Sequence, residues 1–527
     1  MNLPFRFIWL LVILLMPAFA ALGQRKIQLV NADEFEGGRK DGKRYNKFIG
    51  NVNFIQGSTE IWCDSAFLYK RENSLDAFGH VKIFDSVDSV TIHSDILEYD
   101  GESRIANIRE NVVYREDSII LTTDFLDYNL YDRSAYYFNG GTLNDGENTL
   151  TSNRMFYNST ARTMAFKTDV VLVNPENTLK ADSLFYDMVT KIATTIGPTD
   201  IISSDGSTVH SEEGGIFNMQ VNRTVIAAGE IETESYIVRG DELFYNTGTG
   251  SNSARGNVFM FSKEDNIFIT GDAADNFEDE GITRVFGNPV MKKVFEGDTL
   301  YLTADTLVSI DDSVAANKRL LAFHNVKFFR FDLKGKSDSL AYFLSDSLLY
   351  LYDDPVIWSE GNQIEADSIY IVFENEQIST LNLIENAFMI MLDTVKNFNQ
   401  LKGRSMTGHF ENNDIERLEV IGNSESLFYA LKEEDNSLVG INRTLCSNMI
   451  IRFKENRASD ISFYIDVEST FIPPHEIKEP DTRLKGFIWR ESEKPILSEM
   501  LNPPAGEPPP LNPADEILPE AIGEQLD

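Results

Sequence analysis

Basic residues are scarce in this sequence. Lysine and arginine together number 47 against 83 aspartate and glutamate residues, a formal net charge of −36. Such a chain repels phosphates and offers no basic stripe, so we exclude nucleic acid as a partner. The same charge disfavours electrostatic docking on an anionic membrane. The composition is nevertheless 42% hydrophobic and 11% aromatic, too apolar for a disordered acidic chain, and it predicts a folded protein.

Long apolar runs are also missing, with one exception at the N-terminus. Arg6 precedes an apolar run over residues 7–16, and the small-residue segments 18–20 and 21–23 follow. A short basic start, an apolar stretch and a small-residue cleavage site indicate a secretory signal peptide in residues 1–23. We therefore predict an exported protein. Whether the segment is removed or kept as an anchor stays open at this point.

Residues that carry catalysis or bind metals show no pattern. The six histidines fall at unrelated positions, none beside a cysteine and none with the HExxH spacing of a zinc site. The sequence contains no phosphate-binding loop and no nucleophile elbow. We predict no enzymatic activity, no metal site and no cofactor.

What the chain does contain is a repeat of about 30 residues. The stretch TLKADSLFYD at residues 178–187 returns in copies such as SDILEYD, TDFLDYN and GDELFYN. The eleven intervals between Asp33 and Asp367 average (367 − 33)/11, about 30 residues, which identifies a repeat array. In a linear array Cys63 and Cys446 lie too far apart for a disulfide, so we predict two free, buried cysteines.

A second landmark separates successive copies. Segments such as GNVNF at Gly50, GHVKI at Gly79 and GNVFM at Gly256 place a turn residue before alternating apolar residues. This pattern is typical of a tight turn that enters a strand, so each repeat reads as two strands of roughly ten residues. No helical periodicity follows the N-terminal run. The predicted class is all-β.

The apolar residues of each copy change parity at the acidic position. In residues 178–187, Leu179 and Ala181 share one face, and the next inward residue, Leu184, follows after three positions instead of two. A β-bulge produces such a slip and bends the strand. We expect a bend at each acidic residue, with a small residue inside and the carboxylate outside, accepting backbone N–H groups. The aspartates assigned to this structural bend are Asp64, Asp95, Asp124, Asp182, Asp241, Asp305, Asp338 and Asp367.

A calcium or acid–base role for the repeated aspartate is the alternative to a structural one. Asn153 and Glu212 replace it in two copies, and a catalytic or ligand carboxylate would not be copied so many times. The structural role is therefore favoured.

The two landmarks together resemble those of the OstA-like/LptA family of periplasmic lipopolysaccharide-transport proteins, over about residues 30–466. The resemblance implies a roll of stacked, bent antiparallel strands whose apolar interior receives the acyl chains of lipopolysaccharide, and end strands that bind other transport components. We accordingly expect an elongated, bent-strand β-jelly roll of about 14 two-stranded repeats over residues 24–470. Residues 263–284 depart from the pattern and mark a candidate break.

On this interpretation the inward residues that follow the bend are candidates for binding lipopolysaccharide or another acylated lipid. For each one alone, an ordinary core role is the simpler explanation. The candidates are Leu97, Tyr99, Leu126, Tyr128, Met155, Tyr157, Leu184, Tyr186, Leu243 and Tyr245.

The C-terminal segment 471–527 differs in composition, because it holds 11 of the 17 prolines. Proline at this density favours extended backbone over sheet or helix. Within it, residues 483–495 carry Leu484, Phe487, Ile488 and Trp489, which could anchor the segment. Two interpretations stay open: a strap that covers the last sheet edge, or a docking peptide for a partner.

Two functions follow from the sequence. The first is a periplasmic lipopolysaccharide-transport protein, acting as bridge or chaperone, that holds lipid A acyl chains inside the roll and supports outer-membrane assembly. The net charge counts against it unless the anionic headgroup stays in water. The second is a structural periplasmic or surface scaffold that binds protein partners without lipid.

Overall fold

The computed structural model of the protein describes residues 26–502, apart from residues 41, 88, 247–248, 296–297, 376, 412–413, 433 and 455–456. The predicted signal peptide in residues 1–23 and residues 503–527 of the predicted tail lie outside the described residues. The described chain is built almost entirely of antiparallel strands, so the predicted all-β class is confirmed. It divides into two compact units between Ser204 and Asp205. The candidate break at residues 263–284 stays a prediction.

The first unit contains thirteen described strands. They are β1 (Gln28–Asn31), β2 (Glu34–Lys40), β3 (Lys43–Gln56), β4 (Thr59–Tyr69), β5 (Ser74–Asp85), β6 (Val90–Asp100), β7 (Ile105–Glu116), β8 (Ile119–Asn129), β9 (Ser134–Asn144), β10 (Thr149–Asn158), β11 (Thr163–Val173), β12 (Asn177–Asp187) and β13 (Ile192–Ser203).

The second unit contains the remaining described strands and a few short helices. The strands are β14 (Thr208–Asn218), β15 (Arg223–Glu232), β16 (Tyr236–Asn246), β17 (Ser251–Ser262), β18 (Ile267–Phe277), β19 (Ile282–Phe286), β20 (Val290–Phe295), β21 (Asp298–Thr303), β22 (Thr306–Ile310), β23 (Arg319–Phe329), β24 (Leu333–Phe343), β25 (Leu348–Tyr352), β26 (Val356–Ser359), β27 (Asn362–Glu365), β28 (Ser368–Glu374), β29 (Gln377–Ile384), β30 (Phe388–Leu392), β31 (Phe398–Lys402), β32 (Ser405–Glu411), β33 (Asp414–Leu431), β34 (Leu438–Lys454), β35 (Arg457–Tyr464) and β36 (Glu468–Ile472). The helices are the 3-10 turns Glu278–Glu280, Ala315–Asn317, Glu479–Thr482 and Glu491–Glu493, and α1 (Leu497–Leu501).

In the first unit the strands form a meander with two strands per sequence repeat. From β3 to β13 each strand pairs antiparallel with the next one along the chain. The register of these ladders shifts near the middle of each strand, for example between Ile49 and Val52 of β3. Each strand is therefore bent at a bulge, as the parity of the sequence predicts.

The second landmark lies at this bend, so its interpretation as a turn between strands is wrong. Gly50 and Asn51 sit in the middle of β3 with φ of 75° and 45°, and Gly79 and His80 sit in the middle of β5 with φ of 73° and 42°. Two consecutive left-handed residues redirect the chain sharply without ending the ladder. We call such a pair, together with the acidic residue that faces it on the neighbouring strand, a corner. The connections between strands lie elsewhere, such as Gly57 and Ser58 between β3 and β4.

The acidic residue of the repeat bonds mainly to side chains of the corner. Asn111 donates to Asp95 over 2.6 Å, and His80 Nδ1 lies 2.8 Å from Asp64 Oδ2. The corresponding pairs are Asn51–Asp33, Asn257–Asp241, Asn325–Asp305, Asn386–Asp367 and His324–Asp338.

The predicted bonds from backbone N–H groups to these carboxylates therefore need correction. Asp124 accepts from the backbone N–H of Asn111 at 3.4 Å, and Asp182 accepts from the Ser183 hydroxyl at 3.1 Å. At most other corners an asparagine amide or a histidine ring takes this place, because the left-handed residue itself carries a donor side chain.

Small residues occupy the inside of the bend. Cys63, Ser94 and Ala181 are buried immediately before their acidic residues, and a larger side chain would separate the two arms of the strand. Where the small residue is serine, its hydroxyl donates a hydrogen bond to a backbone carbonyl two or three residues later. Ser152 Oγ, for example, donates to the Arg154 carbonyl at 2.9 Å.

In the second unit, many strands are interrupted at the corner. β18 is continuous, but it pairs with β19 through one arm and with β20 through the other. Gly287, Asn288 and Pro289 separate β19 from β20, and the missing N–H of proline ends the ladder there. The irregular residues 263–284 thus include β18 and the beginning of β19, the first arm of an interrupted strand.

After β36 the chain turns back along the second unit. Residues 473–502, which we call the strap, contact strands of this unit that include β24, β27, β30, β31, β33 and β34. Leu484 is buried there, Phe487 and Trp489 are half-buried, and Ile488 is exposed. These contacts lie on a sheet face, and the expectation that the segment covers the last sheet edge stays a prediction.

Candidate functional site

The interior of the bent strands is the site that the sequence singles out. In the first unit, the two arms of each strand face one another across this interior. Phe48 and Phe54, on opposite arms of β3, meet edge-on with ring centroids 5.6 Å apart. Because each arm alternates inward and outward residues, the bend gives both arms an apolar inner face.

The structure buries eight of the ten predicted interior residues. These are Leu97, Tyr99, Leu126, Tyr128, Met155, Tyr157, Leu184 and Leu243. The other two differ from the prediction: Tyr186 is half-buried and Tyr245 is exposed. Whether any of them binds lipid stays a prediction.

Hydrogen bonds close the mouth of the interior in the first unit. Tyr99 donates to Gln56 Oε1 over 2.6 Å, and Gln56 Nε2 donates to the Gly101 carbonyl over 2.8 Å. Gln56 lies on the second arm of β3 and Tyr99 on the second arm of β6, so the pair joins opposite walls. Burial raises the pKa of Tyr99 to about 12 although the nearby Arg104 acts in the opposite direction, so the hydroxyl keeps its proton and donates.

A second closure lies further along the same unit. Tyr114 donates to Glu116 at 2.6 Å, and the ring of Tyr114 contacts those of Tyr128 and Tyr157 at 5.8 and 6.5 Å. Ser159 donates to the other oxygen of Glu116 at 2.6 Å. The Tyr114 hydroxyl thus bonds to the protein itself. Whether the inward tyrosines place hydroxyls at the mouth of a lipid channel stays a prediction.

Gln56, Tyr114 and Glu116 were not among the sequence candidates. Tyr114 follows the corner residues Glu110 and Asn111 at an inward parity, which could have indicated its position. Tyr114 and Glu116 are two positions apart on β7. Gln56 bonds to Tyr99, and Glu116 to Ser159, across 43 positions, and the repeat alone does not identify these partners.

The interior of the second unit is less completely covered near its start. Ile226, Leu243, Ala254, Val258, Ala274 and Val285 form a buried cluster there. Around it lie Val209, Phe217, Ile231, Val238, Met260 and Ile269, which remain partly accessible. We call this inner face of β14–β18 the open segment.

Equivalent residues of the repeat show the difference directly. On β6, Val90 and Tyr99 are 2% and 3% exposed. The matching residues on β16 are Tyr236 and Tyr245, which are 49% and 40% exposed. Since both pairs share the parity of the inner face, the open segment leaves apolar surface uncovered at positions that the first unit closes.

Acidic residues surround this opening. Partial burial raises the pKa of Tyr245, and the nearby Glu278 and Asp205 raise it further. The same combination acts on Tyr236, where burial comes first and Asp311 and Asp265 follow. Both phenols therefore stay neutral and present hydroxyls at the rim.

Other chemistry has little support in the described residues. Within the described ranges no group of three or more His, Cys, Asp or Glu side chains could hold a metal ion. Cys63 and Cys446 are free and buried, as predicted, and burial raises the pKa of Cys63 to about 12. Over the part of the chain that the structure describes, no helix has the length and apolar character needed to cross a membrane.

Comparison with known proteins finds a family similarity in the N-terminal part of the chain. Residues 24–182 match the model of the family described as OstA-like protein. This part of the chain is therefore similar to OstA-like proteins. The resemblance predicted from the two landmarks is thereby confirmed, over less than a third of the chain.

Other comparisons add little. No curated protein matches the chain. A crystal structure of LptH, described as the LptA homologous periplasmic component of the lipopolysaccharide transport device from Pseudomonas aeruginosa, is similar at 19% identity. The match covers 22% of this chain and 82% of that one with a TM-score of 0.19, which is too low to support a conclusion about this protein.

Proposed function

We propose that this OstA-like protein is a periplasmic lipopolysaccharide-transport component that holds acyl chains of lipid A in the open segment of its second unit. The observation that carries the proposal is the accessible apolar inner face of β14–β18. Contacts with acyl chains there would remove apolar surface from water, at about 25 cal/mol per Å².

The acidity of the protein fits this arrangement when only acyl chains enter. Glu278, Asp205 and Asp311 lie near the rim tyrosines and would repel the anionic headgroup of lipid A. The headgroup then stays in water, and the phenol hydroxyls of Tyr236 and Tyr245 lie where the chains would enter. Binding is thus expected to be apolar and only weakly dependent on salt.

The structure of the first unit supports a second function, that of a scaffold, for this part of the chain. Its interior is filled by its own side chains and is closed by the Tyr99–Gln56 bond. A closed, rigid array of this kind supports a scaffold that binds protein partners through its strands. The two functions are compatible when lipid contacts are confined to the open segment.

Native mass spectrometry with lipid extraction tests the proposal. The protein is purified from the envelope of a Gram-negative host, and the Val238→Asp variant is compared with Ile237→Asp. These neighbours are both half-buried and lie on opposite faces of β16. We expect co-purified lipopolysaccharide with the natural protein and with Ile237→Asp, and its loss with Val238→Asp. A lipid-free natural protein, under conditions that load a known carrier, would contradict the proposal and leave the scaffold function.

A further inference from the structure

A row of buried side chains crosses the outer face of the second unit. Trp358, Gln363, Ile390, Gln400 and Leu427 pair directly across β26, β27, β30, β31 and β33. Each is at most 1% exposed. We call these five residues the outer row.

The same wall is apolar on its inner side. Ile357, Ile364, Met389 and Leu401 alternate with the outer row and belong to the interior cluster. The wall therefore has two buried faces, and the strap covers the outer one. Continuous apolar runs such as VIW at residues 356–358 reflect this double burial.

Two glutamines of the outer row hold the strap through its backbone. Gln400 Nε2 donates to the Thr482 carbonyl at 2.9 Å, and its Oε1 accepts from the N–H of Leu484 at 2.8 Å. Gln363 repeats the arrangement six residues later, donating to the Ile488 carbonyl at 2.8 Å and accepting from the N–H of Arg490 at 2.7 Å. Each side-chain amide thus bonds to the carbonyl before one strap residue and to the N–H after it. One residue of a neighbouring strand makes the same two backbone bonds in an antiparallel ladder.

Apolar contacts fix the strap between the two glutamines. Leu484 is buried in a cluster with Phe388, Ile390, Leu427 and Ile441. The ring of Phe398 lies 5.3 Å from that of Phe487 and 5.1 Å from that of Trp489. These contacts select an aliphatic side chain followed by aromatic ones at the third and fifth positions.

A charged contact follows the apolar ones. The Arg490 guanidinium donates to both oxygens of Asp354, at 2.6 and 2.5 Å, and also bonds to Glu493. Glu365 lies 3.8 Å from it and is only 16% exposed. A bidentate pair of this kind recognises arginine specifically, since lysine cannot match its geometry.

These contacts are those of a bound peptide rather than of a strand in the array. Over residues 473–502 the described chain forms no ladder with any strand. In addition, Trp358 Nε1 is buried in the outer row without a hydrogen-bond partner among the described residues. A ligand with an acceptor at this point would satisfy a donor that the strap leaves unpaired.

We propose that the outer row is a peptide-binding site whose tethered ligand, strap residues 482–490, can be replaced by an extended segment of a partner protein. That segment would carry an aliphatic residue, aromatic residues three and five positions later, and an arginine at the sixth. The tether gives the strap a high effective concentration, in the millimolar range for short flexible linkers, so the site is occupied in the free protein. A partner segment must therefore bind strongly enough to compete with this effective concentration of the strap.

The test uses the full chain with a protease recognition sequence inserted between Pro474 and His475, both at the start of the strap. After cleavage, a fluorescent peptide of residues 478–496 is added and its anisotropy is measured. We expect the peptide to bind the cleaved chain and to bind the uncleaved chain at least about ten-fold more weakly, because the tethered strap competes.

Variants identify the contacts. Replacing Arg490 by alanine in the peptide, or Gln400 by leucine in the array, should each weaken binding about ten-fold or more. Gln377→Leu, an exposed glutamine at the start of β29, should leave binding unchanged. The proposal fails if the cleaved strap does not exchange with a large excess of peptide. It also fails if circular dichroism shows that the array unfolds once the cleaved strap is displaced, because the strap is then an integral part of the fold.

Discussion

The side-chain amide of Asn111 on β7 bonds to the carboxylate of Asp95 on β6 over 2.6 Å, at the point where both strands bend. Similar pairs recur along the chain, so one strand's acidic residue is matched to the next strand's left-handed corner. The pairs are exposed, and each adds little stability by itself. Their main consequence is register, because a slip by one residue would separate every pair.

Gly79 should be far more sensitive to substitution than the side-chain pairs. A Cβ atom at this position, where φ is 73°, would overlap Asp64 Oδ2. We predict that Gly79→Ala destabilises the protein by about 1–3 kcal/mol. Gly57→Ala serves as the control, because its φ of 67° is similar but nothing lies within 4 Å.

Calorimetry of the four variants of a double-mutant cycle checks this prediction. Adding Gly79→Ala to Asp64→Ala should cost little more than Gly57→Ala does, since the overlap with the carboxylate is then gone and only the Cβ of residue 64, at 3.1 Å, stays close. An equal cost of Gly79→Ala in the presence and absence of the Asp64 carboxylate would show that the overlap is unimportant.

The bond between Tyr99 and Gln56 should stabilise the closed interior of the first unit. Tyr99→Phe removes a buried hydroxyl that joins the two walls, and we expect a loss of about 1–2 kcal/mol. Amides of β3 and β6 should exchange faster with solvent as a result. Tyr136→Phe, at an exposed position on β9, is the control and should change neither stability nor exchange. Unchanged exchange in Tyr99→Phe would mean that packing alone closes the interior.

Two histidines should titrate in opposite directions. The hydrogen bond and charge of Asp64 raise the pKa of His80 above its ordinary value of 6.5. Burial, followed by Lys82 and Arg115, lowers the pKa of His93 below that value. NMR titration of the imidazole protons should show this order, and Asp64→Asn should return His80 towards 6.5 while leaving His93 unchanged.

The signs of the stability effects follow from these shifts. The contribution of the His80–Asp64 pair to folding stability is complete below the ordinary pKa of 6.5. It is lost as the pH rises through the higher pKa that His80 has in the folded protein. For His93 the folded state disfavours the proton, so stability falls as the pH drops below 6.5. Identical pKa values for the two residues would contradict both assignments.

Arg490 should hold the strap even in acid. Its hydrogen bonds lower the pKa of Asp354, and Arg490 and Lys336 lower the pKa of Glu493 to about 2. The stabilisation from these carboxylates is therefore present above their ordinary pKa values and is lost only as the pH falls through the lowered ones. Limited proteolysis of residues 473–502 should stay slow at pH 4.

Substitutions of Arg490 check the role of its geometry. Arg490→Ala should expose the strap to protease at neutral pH. Arg490→Lys should restore little protection, since lysine cannot pair with both oxygens of Asp354. Lys485→Ala is the control, because its side chain is exposed and only its backbone carbonyl has an assigned contact. Full protection in Arg490→Lys would show that charge alone is sufficient.

The sequence could predict the bend but not where each strand ends. The three-residue step from Ala181 to Leu184 is a local signal, and it identified the bulge. In the sequence Gly50 and Asn51 indicate a turn, because consecutive left-handed residues suit a hairpin and a corner equally well. Only pairing with the acidic residue of another strand distinguishes the two, and a single sequence does not contain that register.

The repeat pattern also does not predict how exposed each interior residue is. Tyr99 and Tyr245 occupy the same position of their copies, yet one is buried and the other is exposed. The difference arises because burial depends on what the opposite wall supplies, such as Gln56 for Tyr99. The strap shows the same limit: Leu484 could be recognised as an anchor, whereas its partners lie 43 to 96 positions earlier in the chain.

Site-specific photocrosslinking at Tyr245 tests the central claim most directly. Benzoylphenylalanine is placed at Tyr245 or at Tyr136, which has comparable exposure but lies on the outer face of β9. The protein is irradiated in the envelope of a Gram-negative host, and adducts are probed for lipopolysaccharide. The account predicts lipid adducts at position 245 and none at 136. Absence of adducts at 245 in a folded protein, or equal adducts at both positions, would contradict it.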